Sequence, residues 1–115
     1  MNCFCSLNKR RDFKRVFDEG ISFAGNYVVV YIIYNNENFL RVGIPVSKKM
    51  GFAVKRNRIK RLIKEAFRYS DNVPSEGYDI VLLPRSSMKK DIKCQVVLEG
   101  ISKVMKEINN YLSSN

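Results

Sequence analysis

The chain has 115 residues, 45% of them hydrophobic, with 21 Lys and Arg against 11 Asp and Glu for a net charge of +10. That size and composition predict one folded domain over residues 1–115 and exclude a disordered chain. The longest apolar run, Tyr27 to Tyr34, is far shorter than the roughly 20 residues that cross a bilayer, and the excess of cations calls for a polyanionic partner, nucleic acid ahead of an anionic membrane surface.

In chain order, Lys9, Arg10 and Arg11 follow Leu7 with no apolar segment after them, so no secretory signal is read here. The three cysteines, Cys3, Cys5 and Cys94, form no framework, and a reduced, cytoplasmic setting is expected. Residues 9–19 predict a short helix, with Phe13, Val16 and Phe17 on one face and Gly20 as its stop. Residues 21–24 allow a short strand. Residues 26–34 are β-branched and aromatic and make the clearest strand, with Tyr27, Val29, Tyr31 and Ile33 sharing one side. Asn35 to Asn38 reads as a turn, and Phe39 to Val46 is expected to return as the hairpin partner of that strand. Residues 52–69 predict a helix whose buried stripe is Ile59, Leu62, Ile63, Ala66 and Phe67. A polar loop leads to an apolar strand, Tyr78 to Leu83, which Pro84 ends. Residues 89–112 predict a last helix. Gly100 inside it costs about 1 kcal/mol relative to Ala and leaves a bend or break open. The expected class is α+β, a sandwich of helices on a small sheet.

The charge is concentrated in one place. Lys48, Lys49, Lys55, Arg56, Arg58, Lys60, Arg61, Lys64 and Arg68 lie within 21 residues that contain a single acid, Glu65. On a helical wheel, Arg56, Asn57, Lys60, Arg61, Lys64 and Arg68 fall largely away from the apolar stripe. A solvated helix face usually mixes signs at i, i+4. Cations crowded on one arc repel one another unless phosphates neutralise them, and Arg adds planar, bidentate donors suited to phosphate. Asn57 in their midst can accept as well as donate, which suits a base edge or a 2′-hydroxyl. A membrane-lying amphipathic helix is the alternative, but the apolar stripe is needed to cover the sheet. The aromatics nearby offer stacking platforms for single-stranded bases, with core packing as the competing reading of each one taken singly.

Some chemistry is missing. The chain has no histidine, the commonest general base and metal ligand. Two cysteines as C-x-C plus one more do not make a structural zinc site. The acids do not cluster as a two-metal nuclease requires. No catalytic residue and no metal ligand is expected in the protein.

Residues Ser47-Lys48-Lys49-Met50-Gly51-Phe52-Ala53-Val54-Lys55-Arg56-Asn57-Arg58-Ile59-Lys60-Arg61 resemble the signature of the protein subunit of bacterial ribonuclease P, S-K-K-x-G-x-A-V-x-R-N-x-x-K-R. The pattern Leu7…Asp12-Phe13-x-x-Val16-Phe17-x-x-Gly20, and the segments Arg41 to Ile44 and Tyr78 to Val81, are similar to the same family, so the likeness spans nearly the whole chain. Lys64 stands where many members have Arg, and Ser6 where a basic residue is common. The resemblance implies an αβββαβα fold with a small mixed sheet and a left-handed βαβ crossover, against the usual hand. It implies a subunit of an endoribonuclease that removes the 5′ leader from precursor tRNA. The catalytic RNA would supply the catalytic groups and bind most of the Mg2+. The protein would bind that RNA through Lys48, Lys49, Lys55, Arg56, Asn57, Arg58, Lys60, Arg61, Lys64 and Arg68. The single-stranded leader would lie in a cleft lined by Phe13, Phe17 and Tyr31. The partners implied are the catalytic RNA and precursor tRNA, with no membrane and no stable protein partner. A plain RNA-binding module and a stand-alone protein nuclease are the rivals, and an exposed aromatic cleft separates the subunit from the first.

Overall fold

The computed structural model describes residues 1–89 and 91–114. Five strands and three helices follow one another as β1 (Cys5–Ser6), α1 (Arg10–Glu19), β2 (Ile21–Ala24), β3 (Val28–Tyr34), β4 (Arg41–Gly43), α2 (Ala53–Arg68), β5 (Tyr78–Pro84) and α3 (Cys94–Ser113), with a 3-10 turn at Lys48–Met50. The expected sandwich of helices on a small mixed sheet is present.

Alternation builds the core. Val28, Val30 and Ile32 of β3, Val42 of β4, and Ile80 and Leu82 of β5 are buried on one face, under Ile59, Ile63, Ala66 and Phe67 of α2 and Val97, Ile101, Val104, Met105 and Ile108 of α3. Phe67 is fully buried there, and its truncation to Ala would cost about 3–5 kcal/mol. The intervening residues face the other way. Val81 meets Leu7 and Val16 of α1 in a second, smaller cluster, with Phe13, Tyr31 and Ile33 packed around it. Thus α1 lies on the face of the sheet opposite α2 and α3.

The strand order is β1-β4-β5-β3-β2, and it corrects the expected hairpin. The strand at 28–34 does not pair with β4. It pairs antiparallel with β5 along its whole length, from Val28 opposite Pro84 to Tyr34 opposite Tyr78, and with β2 on its other side. β5 in turn runs parallel to β4, with Arg41 opposite Asp79 and Gly43 opposite Val81. The physical reason is burial. Residues 79–82 are buried without a break, with Ile80 and Leu82 on one face and Val81 and the ion-paired Asp79 on the other, so β5 takes the central position. The Asn35–Leu40 connection therefore arches over the start of β5, where Asn35 N–H donates to the Gly77 carbonyl (2.9 Å) and Gly77 N–H to Phe39 (3.0 Å). Asn36 adopts φ 60° in that turn, as an asparagine tolerates.

Three further features add to or revise the expected elements. The N-terminus, for which no element is expected, is anchored. Cys5 and Ser6 pair parallel to Arg41 and Val42. Asn2 Nδ2 donates to the Phe67 and Ser70 carbonyls, 2.9 Å each, and Asn2 N–H to that of Arg68 (2.7 Å). These bonds tie the N-terminus to carbonyls at and just beyond the end of α2, and the Phe4 ring packs edge-on against Phe67 at 5.4 Å. The last helix begins at Cys94, not at 89: Met88 is tucked into the core by a turn in which its N–H donates to the Arg85 carbonyl. Residue 90 of the expected span lies outside the described residues. Finally, α3 runs unbroken through Gly100, where an added Cβ would meet nothing within 4 Å.

Candidate nucleic-acid interface

The apolar stripe of α2 is sunk in the core, which leaves Lys55, Asn57, Arg58, Lys60, Arg61 and Lys64 exposed. Lys48 and Lys49, in the 3-10 turn ahead of the helix, are exposed as well, whereas Arg56 and Arg68 are half-buried. The cations do not form one band. Arg56, Asn57 and Lys60 line a cleft of about 330 Å³ whose other walls are Leu7, Asn8, Phe13 and residues 44–46. A smaller hollow of about 160 Å³ shares Leu7, Asn8, Ile44 and Lys60 with it and adds Ser6 and Lys64. Arg58 and Arg61 turn away, onto a groove with Leu62, Glu65 and Cys94. Arg68 is already engaged, 3.6 Å from the Glu65 carboxylate and with its guanidinium 5.7 Å from the centre of the Phe4 ring.

Arg56 carries the clearest signal. Its Nε is buried and has no hydrogen-bond partner among the described residues. A guanidinium keeps its charge and cannot stop being a donor, and an unmet buried donor costs about 1–3 kcal/mol.

Of the three aromatics expected to act together, two are in ring contact and the third packs on the same side of the sheet. The rings of Phe17 and Tyr31 stand edge to face, 4.8 Å apart at 87°, and Phe13 packs in the same cluster. Phe17 remains 37% exposed. Phe13 belongs both to this cluster and to the wall of the basic cleft, so the aromatic surface and the cationic surface are continuous. Gly43 makes this possible. A Cβ there would lie 2.5 Å from Phe13 Cε1 and 2.6 Å from the Leu7 carbonyl, so only glycine lets the ring settle against β4.

A buried carboxylate sets the position of α1. Asp79 Oδ1 accepts from Arg41 Nε (2.8 Å) and Asn35 Nδ2 (2.9 Å), and its Oδ2 from Arg41 Nη2 (2.6 Å) and Arg15 Nη1 (3.2 Å). Arg15 also donates to the Tyr34 carbonyl, and Arg41 reaches Asp12 at 3.7 Å. Two residues of α1 are thereby tied to the sheet. Burial pushes the Asp79 carboxyl upward, but the hydrogen bonds from Arg41 and Asn35 and the charges of Arg41 and Arg15 outweigh it and hold the group below its ordinary 3.8. Sequence reasoning missed this network, because its members lie 64 and 38 residues apart along the chain. It also missed Asn8 and residues 44–46 as cleft walls, which depend on a pairing of β1 with β4 that two residues cannot announce.

Among the described residues, no group of three or more His, Cys, Asp or Glu side chains could hold a metal ion. The cleft lining contains no acid, and Asp79 and Asp12 are paired with Arg41 and Asp18 with Lys14. The donor set does not fit a protein-held Mg2+. No helix among the described residues is long and apolar enough to cross a membrane.

Comparison with known proteins matches residues 1–109 to the ribonuclease P family. The chain is 51% identical over 84 residues to the ribonuclease P protein component of Clostridioides difficile, covering 72% of this chain and 74% of that one. It is 44% identical over 105 residues to that of Pelotomaculum thermopropionicum, covering 90% and 93%. Among solved structures, the RNase P protein of Thermotoga maritima superposes with a TM-score of 0.78 at 35% identity, over 89% of this chain and 96% of that one. The Staphylococcus aureus protein superposes at 0.75 with 34% identity, over 90% and 94%.

Proposed function

The chain belongs to the ribonuclease P protein family, and from that premise we propose that two adjoining surfaces hold two RNAs side by side, the catalytic RNA on the cations of α2 and the substrate's 5′ leader on the aromatics of α1 and β3. Its function is that of the protein subunit of ribonuclease P, which processes the 5′ leader of precursor tRNA while the RNA provides catalysis. The residues that do this work are our assignment. The observation that carries it is Phe13, which lines the cationic cleft and also packs on the Leu7, Val16 and Val81 cluster that Tyr31 covers.

In this reading, Arg56, Asn57 and Lys60 grip RNA at the cleft and Lys64 in the adjoining hollow, with the Arg56 guanidinium on a phosphate or base oxygen. Lys48, Lys49, Lys55, Arg58 and Arg61 neutralise phosphates further out. Arg68, held by Glu65 and Phe4, adds the least. Phe13, Phe17 and Tyr31 stack leader bases, which are single-stranded and present their faces. The chain has no histidine and no metal-holding group among the described residues, and the contribution assigned to it is binding and orientation. Mg2+ is bound by the catalytic RNA, and the setting is the cytoplasm.

The test compares precursor tRNA with and without a leader. In the assembled holoenzyme, Phe17→Ala should weaken binding of the leader-bearing substrate about tenfold, the worth of one stacked base, and leave mature tRNA unaffected. Equal losses on both RNAs would make Phe17 a packing residue only. Phe17 is preferred over Phe13 because its exposure separates contact from folding.

A further inference from the structure

The most exposed aromatic of the chain lies outside the cleft. Phe52 is 90% exposed and Val54, two residues on, is 66% exposed. Phe52 stands at the corner between the 3-10 turn and α2, with extended backbone at φ −69° and ψ 166°. Gly51 before it holds φ 121°, a conformation that L side chains rarely adopt, and a Cβ there would come within 2.7 Å of Lys55 Cδ. The backbone thus fixes the corner, and the corner presents residue 52 to solvent.

The fold gains nothing from a phenylalanine here. Its ring buries almost no surface. It also occupies the N-cap of α2, where no side chain bonds to the first-turn amides. Ser, Thr, Asp or Asn at this position would cap the helix, and Phe cannot. An apolar side chain that weakens a helix start and packs on nothing is accounted for by a partner.

The surroundings say which partner. Lys48 and Lys49 precede Phe52, Lys55, Arg56 and Arg58 follow it, and there is no acid from Ser47 through Lys64. A second copy of this chain would bring like charge against like. A nucleobase is the chemical match, because it has a flat apolar face and is carried on a polyanion. We propose that Phe52 stacks on an unpaired base of the catalytic RNA, with Val54 against the same nucleotide and Lys48, Lys49 and Lys55 on the flanking phosphates. This rests on the reading of α2 as the face toward the catalytic RNA. The leader is assigned elsewhere, since Phe52 does not line the cleft that contains Phe13.

The chain has no tryptophan, so Phe52→Trp installs a single fluorophore at the site. Titration with the cognate catalytic RNA should quench it. Phe52→Ala and Phe52→Leu should each weaken affinity for that RNA about tenfold with the salt dependence unchanged, whereas Phe52→Tyr and Phe52→Trp retain it. Thermal transitions should match the parent, because the side chain is not packed. Lys60→Ala, in parallel, should weaken binding and flatten the salt dependence. If Phe52→Ala binds like the parent while Lys60→Ala is weakened, the stacking proposal is overturned and the reading of α2 stands. If neither variant is weakened, the reading of α2 itself falls. Quenching only when precursor tRNA joins the holoenzyme would overturn the assignment to the catalytic RNA. A blue shift on phosphatidylglycerol vesicles, with no quenching by RNA, would overturn it in favour of a membrane.

Discussion

Replacing Asp79 by Ala removes the acceptor that four donor groups share. Asp79 is fully buried, so its arginines would be left facing a cavity that held their counter-charge. Removing one partner of a fully buried ion pair costs about 3–5 kcal/mol. Arg41 and Arg15 keep 27% and 38% of their side-chain surface in water, which places the loss near the low end, about 3 kcal/mol. For a domain of this length that lowers the thermal midpoint by roughly 10–15 °C, measured by circular dichroism at pH 7 and checked by urea unfolding. The pH dependence has a definite sign. The folded carboxyl lies below its ordinary 3.8, so its stabilisation is complete above that value and fades as pH falls through the folded value. Asp79→Asn should therefore lack the loss of stability that the parent shows as the pH drops below about 4. A midpoint for Asp79→Ala within about 2 °C of the parent would refute the network as the tether of α1.

The other surfaces give further expectations. If about six cations of the α2 face meet phosphates, log K for the catalytic RNA should fall against log salt with a slope near −4 to −5; a flat response would remove the phosphate contacts. The glycines should behave oppositely. Gly43→Ala, forced against Phe13 and the Leu7 carbonyl, should lose about 1–3 kcal/mol by overpacking and weaken leader binding. Gly100→Ala, opening onto free space inside α3, should gain about 0.5–1 kcal/mol; denaturant titration reads both.

Periodicity carried the helices and strands because it is local. The stripe of Ile59, Ile63, Ala66 and Phe67 and the alternation of β3 are visible without knowing the neighbours. Pairing is not local. Two adjacent strands joined by an asparagine-rich turn suggested a hairpin, whereas the continuous apolar run of β5 was the feature that claimed the space between them. The N-terminal strand was hidden by its length, since what holds it is Asn2 at the end of α2 and Phe4 on Phe67. The candidate site divides in the same way. Cations of one sign in one segment are legible in sequence. Which of them enter the cleft, with Arg56, Lys60 and Lys64 on one side and Arg58 and Arg61 on the other, depends on where α2 rests on the sheet.

The central claim is that adjoining surfaces hold leader and catalytic RNA, and cleavage of precursor tRNA at low Mg2+ by the cognate catalytic RNA, with and without this protein, tests it most directly. The account predicts strong stimulation that is largely lost in Arg56→Ala and, for leader-bearing substrate, in Phe17→Ala. Full stimulation by both variants, with each shown to be folded and bound to the RNA, would contradict it.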